Sequence, residues 1–247
     1  KKIKYLIIDL TKKNIFKNDS NSYHISIGQF GKILNLLNYK KCKKVIFAGK
    51  IDKPQINKLK LDLKGIFYIT RIVKAAKKGD AAILKELIKI LLENKIRVIS
   101  SILFNPELTL KKGIYSKIKP NKDDELYIKK GIKILKKTSS YDHVQAVIVR
   151  KNDIIKETRS GTGKLIKSIK KNKSQNGVLI KFPKTKQDLR VDLPTIGINT
   201  FKDLKSKNLK GIVVKGNQNI ILNRKDCFKF IDKNKMFLIA KWKKYLF

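Results

Sequence analysis

The 247-residue chain has few of the residues that staple, ligate or interrupt a fold: two cysteines (Cys42, Cys227), two histidines (His24, His143), 5 prolines and 13 glycines. The cysteines lie far apart and form no CxxC, which excludes a disulfide framework and a thiolate zinc site. Both read as buried or incidental free thiols. Neither histidine belongs to an HxxxH or HExxH pattern, so any metal must be held by oxygen. No run of roughly 18 apolar residues occurs, and the opening KKIKYLIIDL interrupts its short apolar run with Asp9 and offers no small-residue cleavage site. Neither a membrane span nor a signal peptide is visible, and the expected compartment is the cytoplasm. GxGxxG and GxxxxGK(S/T) are both absent, so no glycine-rich phosphate loop can be argued from motif. With apolar types at 42% and so little Pro and Gly, a disordered, collagen-like or linker-dominated chain is excluded.

Acidic residues are also scarce, 19 against 60 basic, for a net charge of +41. Such a charge invites a nucleic-acid partner. Its make-up argues otherwise, because only Arg71, Arg97, Arg150, Arg159, Arg190 and Arg224 are arginines, whereas phosphate forks and base readout favour Arg. The lysines are scattered, as a codon bias toward Lys, Ile and Asn would leave them, and no specific nucleic acid is expected. A milder consequence survives: basic residues near an anionic leaflet attract it by about 1 kcal/mol each, so peripheral contact with the inner membrane is expected.

Strand and helix signals alternate. Tyr5–Ile8, Val45–Ala48 and Val98–Ile102 read as strands, Gly28–Leu37 as a helix, and Asp80 caps a helix whose apolar positions Ile83, Leu84, Leu87, Ile88, Leu91 and Leu92 share one face. The alternation predicts α/β architecture. At Pro120-Asn121 a polar stretch leads into a helix over Leu126–Leu135, and the domain boundary is placed at 118–123. The halves are residues 1–119 and 122–247. Shorter units follow: Val144–Val149, Ile154–Ile155, Thr162–Ile169, Val178–Lys181, Thr200–Ser206, Gly211–Val214, Ile220–Leu222, Cys227–Ile231 and Met236–Ala240. Phe30, Phe47 and Phe104 fall on apolar faces and are expected in the core.

The most unusual stretch is GVLIKFPKTKQDLRVDLPTIG, residues 177–197. An apolar strand feeds a long polar connection, and strand exits of this kind are where sites are built. Lys181, Lys184 and Arg190 can neutralise phosphate oxygens, while Asp188 and Asp192 are hard oxygen donors suited to Mg²⁺ or Mn²⁺. A cation clamp beside a metal ligand fits phosphoryl transfer; a solvated loop with local ion pairs is the plainer alternative.

This stretch strongly resembles the corresponding segment of UDP-2,3-diacylglucosamine pyrophosphatases of the LpxI type, hydrolases of lipid A biosynthesis in Gram-negative bacteria. IGQFGKIL (27–34), VIFAGKIDKP (45–54), GDAAIL (79–84), DHVQAVIV (142–149) and LKGIVVKGNQNIILNR (209–224) resemble further blocks of that family in the same order. The resemblance implies two domains, a Rossmann-like parallel-sheet amino-terminal half and a smaller catalytic α/β carboxy-terminal half, and a homodimer. It also implies metal-dependent hydrolysis of UDP-2,3-diacylglucosamine to UMP and 2,3-diacylglucosamine 1-phosphate (lipid X), with attack on the sugar-side phosphorus. Asp192 matches the family's essential aspartate and is assigned Mg²⁺ (or Mn²⁺) binding or water activation. Lys181, Lys184 and Arg190 would hold the pyrophosphate, with Gln187, Asp188 and Thr195 completing the lining. Gly49 and Pro54 would shape a facing wall.

Two departures stand out. Where the family reads Glu-Gly-Thr-Asp, this chain has Ser160-Gly161-Thr162-Gly163, losing two carboxylates and keeping Gly161 and Thr162. Glu157 is retained and joins Asp192 and Asp188 as an expected metal ligand. The family's opening strand and glycine-rich turn, about 25 residues by average element lengths, are also absent, which reads as truncation. Gln145 is a further candidate; Asp142 enters the same block, and His143 reads as a surface histidine. Two alternatives stay open: an impaired homologue that binds polyanions, and a pyrophosphatase for another UDP-linked substrate.

Overall fold

The computed structural model describes residues 4–49, 55–138, 144–151, 153–158, 160–184 and 187–241. Pro54, Asp142 and His143 lie outside the described residues. The chain divides into two compact units, Lys1–Ser101 and Ile102–Phe247.

In the first unit β1 (Ile7–Asp9) pairs in parallel with β2 (Ser22–His24), followed by α1 (Phe30–Tyr39). Helix α1 buries Gly31, Ile33, Leu34 and Leu37, the i, i+3, i+4 spacing of a single face. Next come β3 (Lys44–Val45), α2 (Leu63–Ala76), α3 (Asp80–Glu93) and β4 (Arg97–Val98), which pairs in parallel with β3. A single carboxylate starts two of these helices: Asp62 accepts the backbone N–H groups of Gly31 and Lys32 in α1 and of Gly65 in α2, at 2.8–3.0 Å. Gly65 is needed at the same joint, because a Cβ there would strike the Gly28 carbonyl oxygen. Arg71 of α2 bonds Glu86 and Glu93, clamping α2 to α3. The cap of α3 is Gly79, at φ +112°, and Asp80 stands inside the first turn rather than at the cap.

The second unit contains β5 (Gly113–Ile114), α4 (Lys122–Lys137), β6 (Ala146–Arg150), β7 (Asp153–Lys156), α5 (Thr162–Ser168), β8 (Val178–Lys181), β9 (Thr195–Ile196), α6 (Ile198–Ser206), β10 (Gly211–Lys215), β11 (Ile220–Ile221), α7 (Arg224–Lys233) and β12 (Phe237–Lys241). Six strands form one mixed sheet in the order β5-β12-β10-β8-β6-β7. The centre, β8, β10 and β12, is parallel, and β5, β6 and β7 complete it with antiparallel pairings. Its strands are nearly continuous apolar runs because both faces are covered. Ala146, Ile148, Leu179, Ile212, Val214 and Leu238 face α5, α6 and α7 through Ile166, Phe201 and Ile231. Val147, Val149, Ile180, Val213 and Phe237 face Ile128 and Ile132 of α4. Gly131 lets α4 lie close, since a Cβ there would sit 2.5 Å from the Ile180 Cδ1. An Asn121–Asp124 capping box starts α4, and buried Asp124 also receives Lys210 Nζ.

The α/β class holds, with corrections. Parallel pairing is present in the first unit, but among the described residues it forms two separate two-stranded pairs and not one Rossmann-like sheet. The carboxy-terminal unit is not the smaller: it holds the six-stranded sheet. The two units divide at Ser101–Ile102, and β5, which precedes the polar stretch at 118–123, pairs with β12 at Gly113↔Ala240 and Ile114↔Ile239. Phe104 is 54% exposed and not core; Cys227 is buried and Cys42 half-buried, both free. Among the described residues no helix is long and apolar enough to cross a membrane.

Candidate functional site

Lys181 is the last residue of β8, at the end of the sheet where β8 and β10 exit and β6 enters. It pairs with Ala146 on one side and Val214 on the other. Strand exits in open α/β sheets leave backbone groups and side chains converging on a crevice. The neighbouring chain is drawn in by two backbone bonds, Phe182 N–H to the Gln145 carbonyl and Glu157 N–H to the Ala146 carbonyl, both 2.9 Å. Residues far apart in sequence are thereby placed at one end of the sheet.

Glu157, directly after β7, is buried. One carboxylate oxygen accepts the Thr162 hydroxyl at 2.6 Å and the other the Gln145 backbone N–H at 2.9 Å. Thr162 is the first residue of α5, and Gly161 before it stands at φ +87°, a conformation glycine adopts without strain. The retained half of the altered family motif thus fastens a carboxylate that precedes it.

Lys181 is only 7% exposed, and its ammonium donates to the Thr195 carbonyl at 3.0 Å. Burial lowers its pKa below that of an ordinary lysine, and the Glu157 and Asp192 carboxylates oppose that shift by favouring the cation. The lysine thus retains its charge more readily than burial alone would allow. Asn219, also buried, fixes the backbone beneath: its amide donates to the Lys181 carbonyl at 3.1 Å and its oxygen accepts the Lys215 N–H at 3.0 Å. Gln145 contributes a buried Oε1 that has no hydrogen-bond partner among the described residues.

The connection from β8 to β9 carries the other candidates. Asp192 N–H bonds the Asp188 carbonyl at 2.9 Å, and the Asp192 carboxylate accepts no hydrogen bond among the described residues. The Asp188 carboxylate instead receives Arg190 through Nε at 3.0 Å and Nη2 at 2.7 Å, and this pairing raises the Arg190 pKa. The Gln187 side chain accepts the Lys184 N–H at 2.9 Å, so it shapes the turn.

Gln145, Glu157, Thr162, Lys181, Asp192 and Thr195 therefore meet at one sheet end. Asp188 and Arg190 are engaged with each other, and Gly49 belongs to the other unit. Asn219 is the member that motif inspection alone does not single out; its signal is its place in the GNQNIILNR block.

Among the described residues no group of three or more His, Cys, Asp or Glu side chains is placed to hold a metal, so Asp192, Asp188 and Glu157 do not form a carboxylate cage. A hard cation that keeps several waters and binds through one carboxylate and substrate phosphates needs no cage, and the uncommitted Asp192 oxygens fit that mode.

Residues 111–239 match the LpxI C-terminal domain family and residues 2–108 the LpxI N-terminal domain family. The UDP-2,3-diacylglucosamine pyrophosphatase LpxI of Caulobacter vibrioides is 27% identical to this chain over 225 residues, covering 87% of this chain and 80% of the relative.

Proposed function

This chain belongs to the LpxI family, and on that premise we propose that it hydrolyses the pyrophosphate of UDP-2,3-diacylglucosamine in a metal-dependent reaction of lipid A synthesis. The named activity of the Caulobacter relative supports the substrate. One observation carries the reading to particular atoms: Lys181 is buried at the sheet end with its ammonium donating to the Thr195 carbonyl, and of the Glu157 and Asp192 carboxylates that favour its charge only that of Glu157 accepts a hydrogen bond among the described residues.

In this reading Lys181 supplies a fixed positive charge to the pyrophosphate oxygens, where charge accumulates during transfer. Glu157 favours the protonated form of that lysine, and Asp192 would bind the ion or orient the attacking water. A Mg²⁺ or Mn²⁺ ion held by Asp192 and the substrate's phosphates would neutralise the phosphates and lower the pKa of bound water. The water oxygen forms a bond to the sugar-side phosphorus, the bridging P–O bond breaks, and UMP departs with lipid X as co-product.

The test is an assay of the chain with UDP-2,3-diacylglucosamine and Mg²⁺ or Mn²⁺, with and without EDTA, in ¹⁸O-water. Release of UMP, dependence on the ion and label in lipid X are expected. No hydrolysis under any ion condition, or label in UMP, overturns the reading. Turnover of UDP-linked compounds irrespective of their acyl chains would assign a different substrate.

A further inference from the structure

Helix α2 is apolar on a side that nothing in its own unit covers. Its inner side is held: Tyr68 packs edge-on against Phe30 and accepts from the Asn94 amide, Arg71 is clamped by Glu86 and Glu93, and only Gly65 and Ala75 are buried. On the opposite side Leu63 is 86% exposed, Ile66 57% and Phe67 69%. These three occupy i, i+3 and i+4, so they form one contiguous stripe. Isolated exposed apolar residues are ordinary, but a large aliphatic–aromatic stripe on one helix face marks an interaction surface.

Charge indicates the occupant. Along the same face the helix runs on through Thr70 to exposed Lys74, with Lys77 and Lys78 just beyond its end, and exposed Lys58, Lys60 and Lys64 flank its start. The one acidic residue across 55–78, Asp62, is turned inward onto the helix caps. An apolar stripe of Leu, Ile and Phe framed by lysines is the pattern of a helix lying in a bilayer interface, with the stripe among acyl chains and the ammonium groups at lipid phosphates. A second copy of this chain, carrying the same lysines, would be repelled from that frame.

We propose that the Leu63–Ile66–Phe67 face of α2, with its lysine frame, docks the protein in-plane on an anionic lipid surface. The proposal does not rest on the pyrophosphatase reading, because lipid binding is measured without substrate.

The test is flotation of the full chain with phosphatidylcholine vesicles and with vesicles containing phosphatidylglycerol. Because the whole molecule is strongly basic, the deciding comparison leaves charge untouched. The variant Leu63→Ser/Ile66→Ser/Phe67→Ser is compared with Tyr39→Ser, which removes an equally exposed aromatic elsewhere in the unit. Wild type and Tyr39→Ser are expected to float with anionic vesicles only, and the triple variant to bind about tenfold more weakly or not at all. Circular dichroism and the melting temperature establish that the triple variant is folded; should it not be, Phe67→Ser alone serves, with severalfold weaker binding expected. Equal binding by the apolar variants and wild type shows a generic charge attraction and overturns the proposal. So does a dimer in light scattering that the apolar substitutions dissociate, because the face would then belong to a second copy.

Discussion

The Glu157 carboxylate accepts the Thr162 hydroxyl at 2.6 Å, which ties the exit of β7 to the first residue of α5. With the Gln145 amide on its other oxygen, each oxygen of this buried carboxylate accepts a hydrogen bond from protein. Removing the hydroxyl in Thr162→Val is expected to cost about 1–3 kcal/mol, the range for a lost hydrogen bond to a buried charged group. Urea denaturation checks the cost; Thr162→Ser should recover most of it. In the proposed enzyme the valine variant should also lose turnover, because the carboxylate that supports Lys181 is loosened.

The two aspartates of the β8–β9 connection should behave differently. Asp192→Asn is expected to abolish hydrolysis, by a factor of at least ~10³, while lowering the denaturation midpoint only slightly, since its carboxylate accepts no hydrogen bond among the described residues and shares with Glu157 the role of favouring the Lys181 cation. Asp188→Asn weakens the bond to Arg190 and should reduce activity far less. Equal losses from both, in steady-state UMP release, would contradict this division.

Lys181 makes stability depend on pH in the alkaline range. Burial sets its native pKa below the ordinary 10.5, so between the two values the unfolded chain binds more protons than the native one, and stability rises with pH across that window. Below the native pKa the burial penalty is present in full. Lys181→Met should remove this rise in a series of melts, fold normally, and show no hydrolysis. If its alkaline profile matches that of wild type, the lysine is not the titrating group.

Acid should act on the first unit through Asp62. Burial disfavours its charge, but hydrogen bonds from Gly31, Gly65 and Lys32 outweigh that and place its pKa below 3.8. The cap therefore contributes fully above the ordinary carboxylate value and is lost as pH falls through the depressed native one. Asp62→Ala is expected to cost about 2 kcal/mol, near the upper end for a cap, because two helices lose acceptors together. Hydrogen exchange at those three amides provides the check: all should lose protection in the variant.

Much of the second unit was legible as pattern. Four mainly apolar runs, at 144–149, 178–181, 211–214 and 236–240, identify the central strands because a sheet buried on both faces leaves no polar alternation to misread. The pairing order was not legible, since nothing in those runs says that β6 enters antiparallel beside β8. The first unit was harder. Helix α2 carries Ile66-Phe67-Tyr68-Ile69-Thr70, a β-branched and aromatic series that masks its helical period, and its start depends on Asp62, whose role as a shared cap is tertiary. Within the site, Lys181 and Asp192 were visible as charged residues at a strand exit. The commitment of Asp188 to Arg190 and of Glu157 to Thr162 depends on side-chain geometry, and Asn219 works only through backbone brought beside it.

The Asn219 clasp on the Lys181 carbonyl and the Lys215 amide makes the lysine's address a property of the sheet, whereas Asp192 lies in the connection between β8 and β9. Lengthening, shortening or recomposing residues 182–191 would re-aim the aspartate and leave the cation where it is. The reach of the carboxylate is therefore adjustable in that connection without disturbing the sheet.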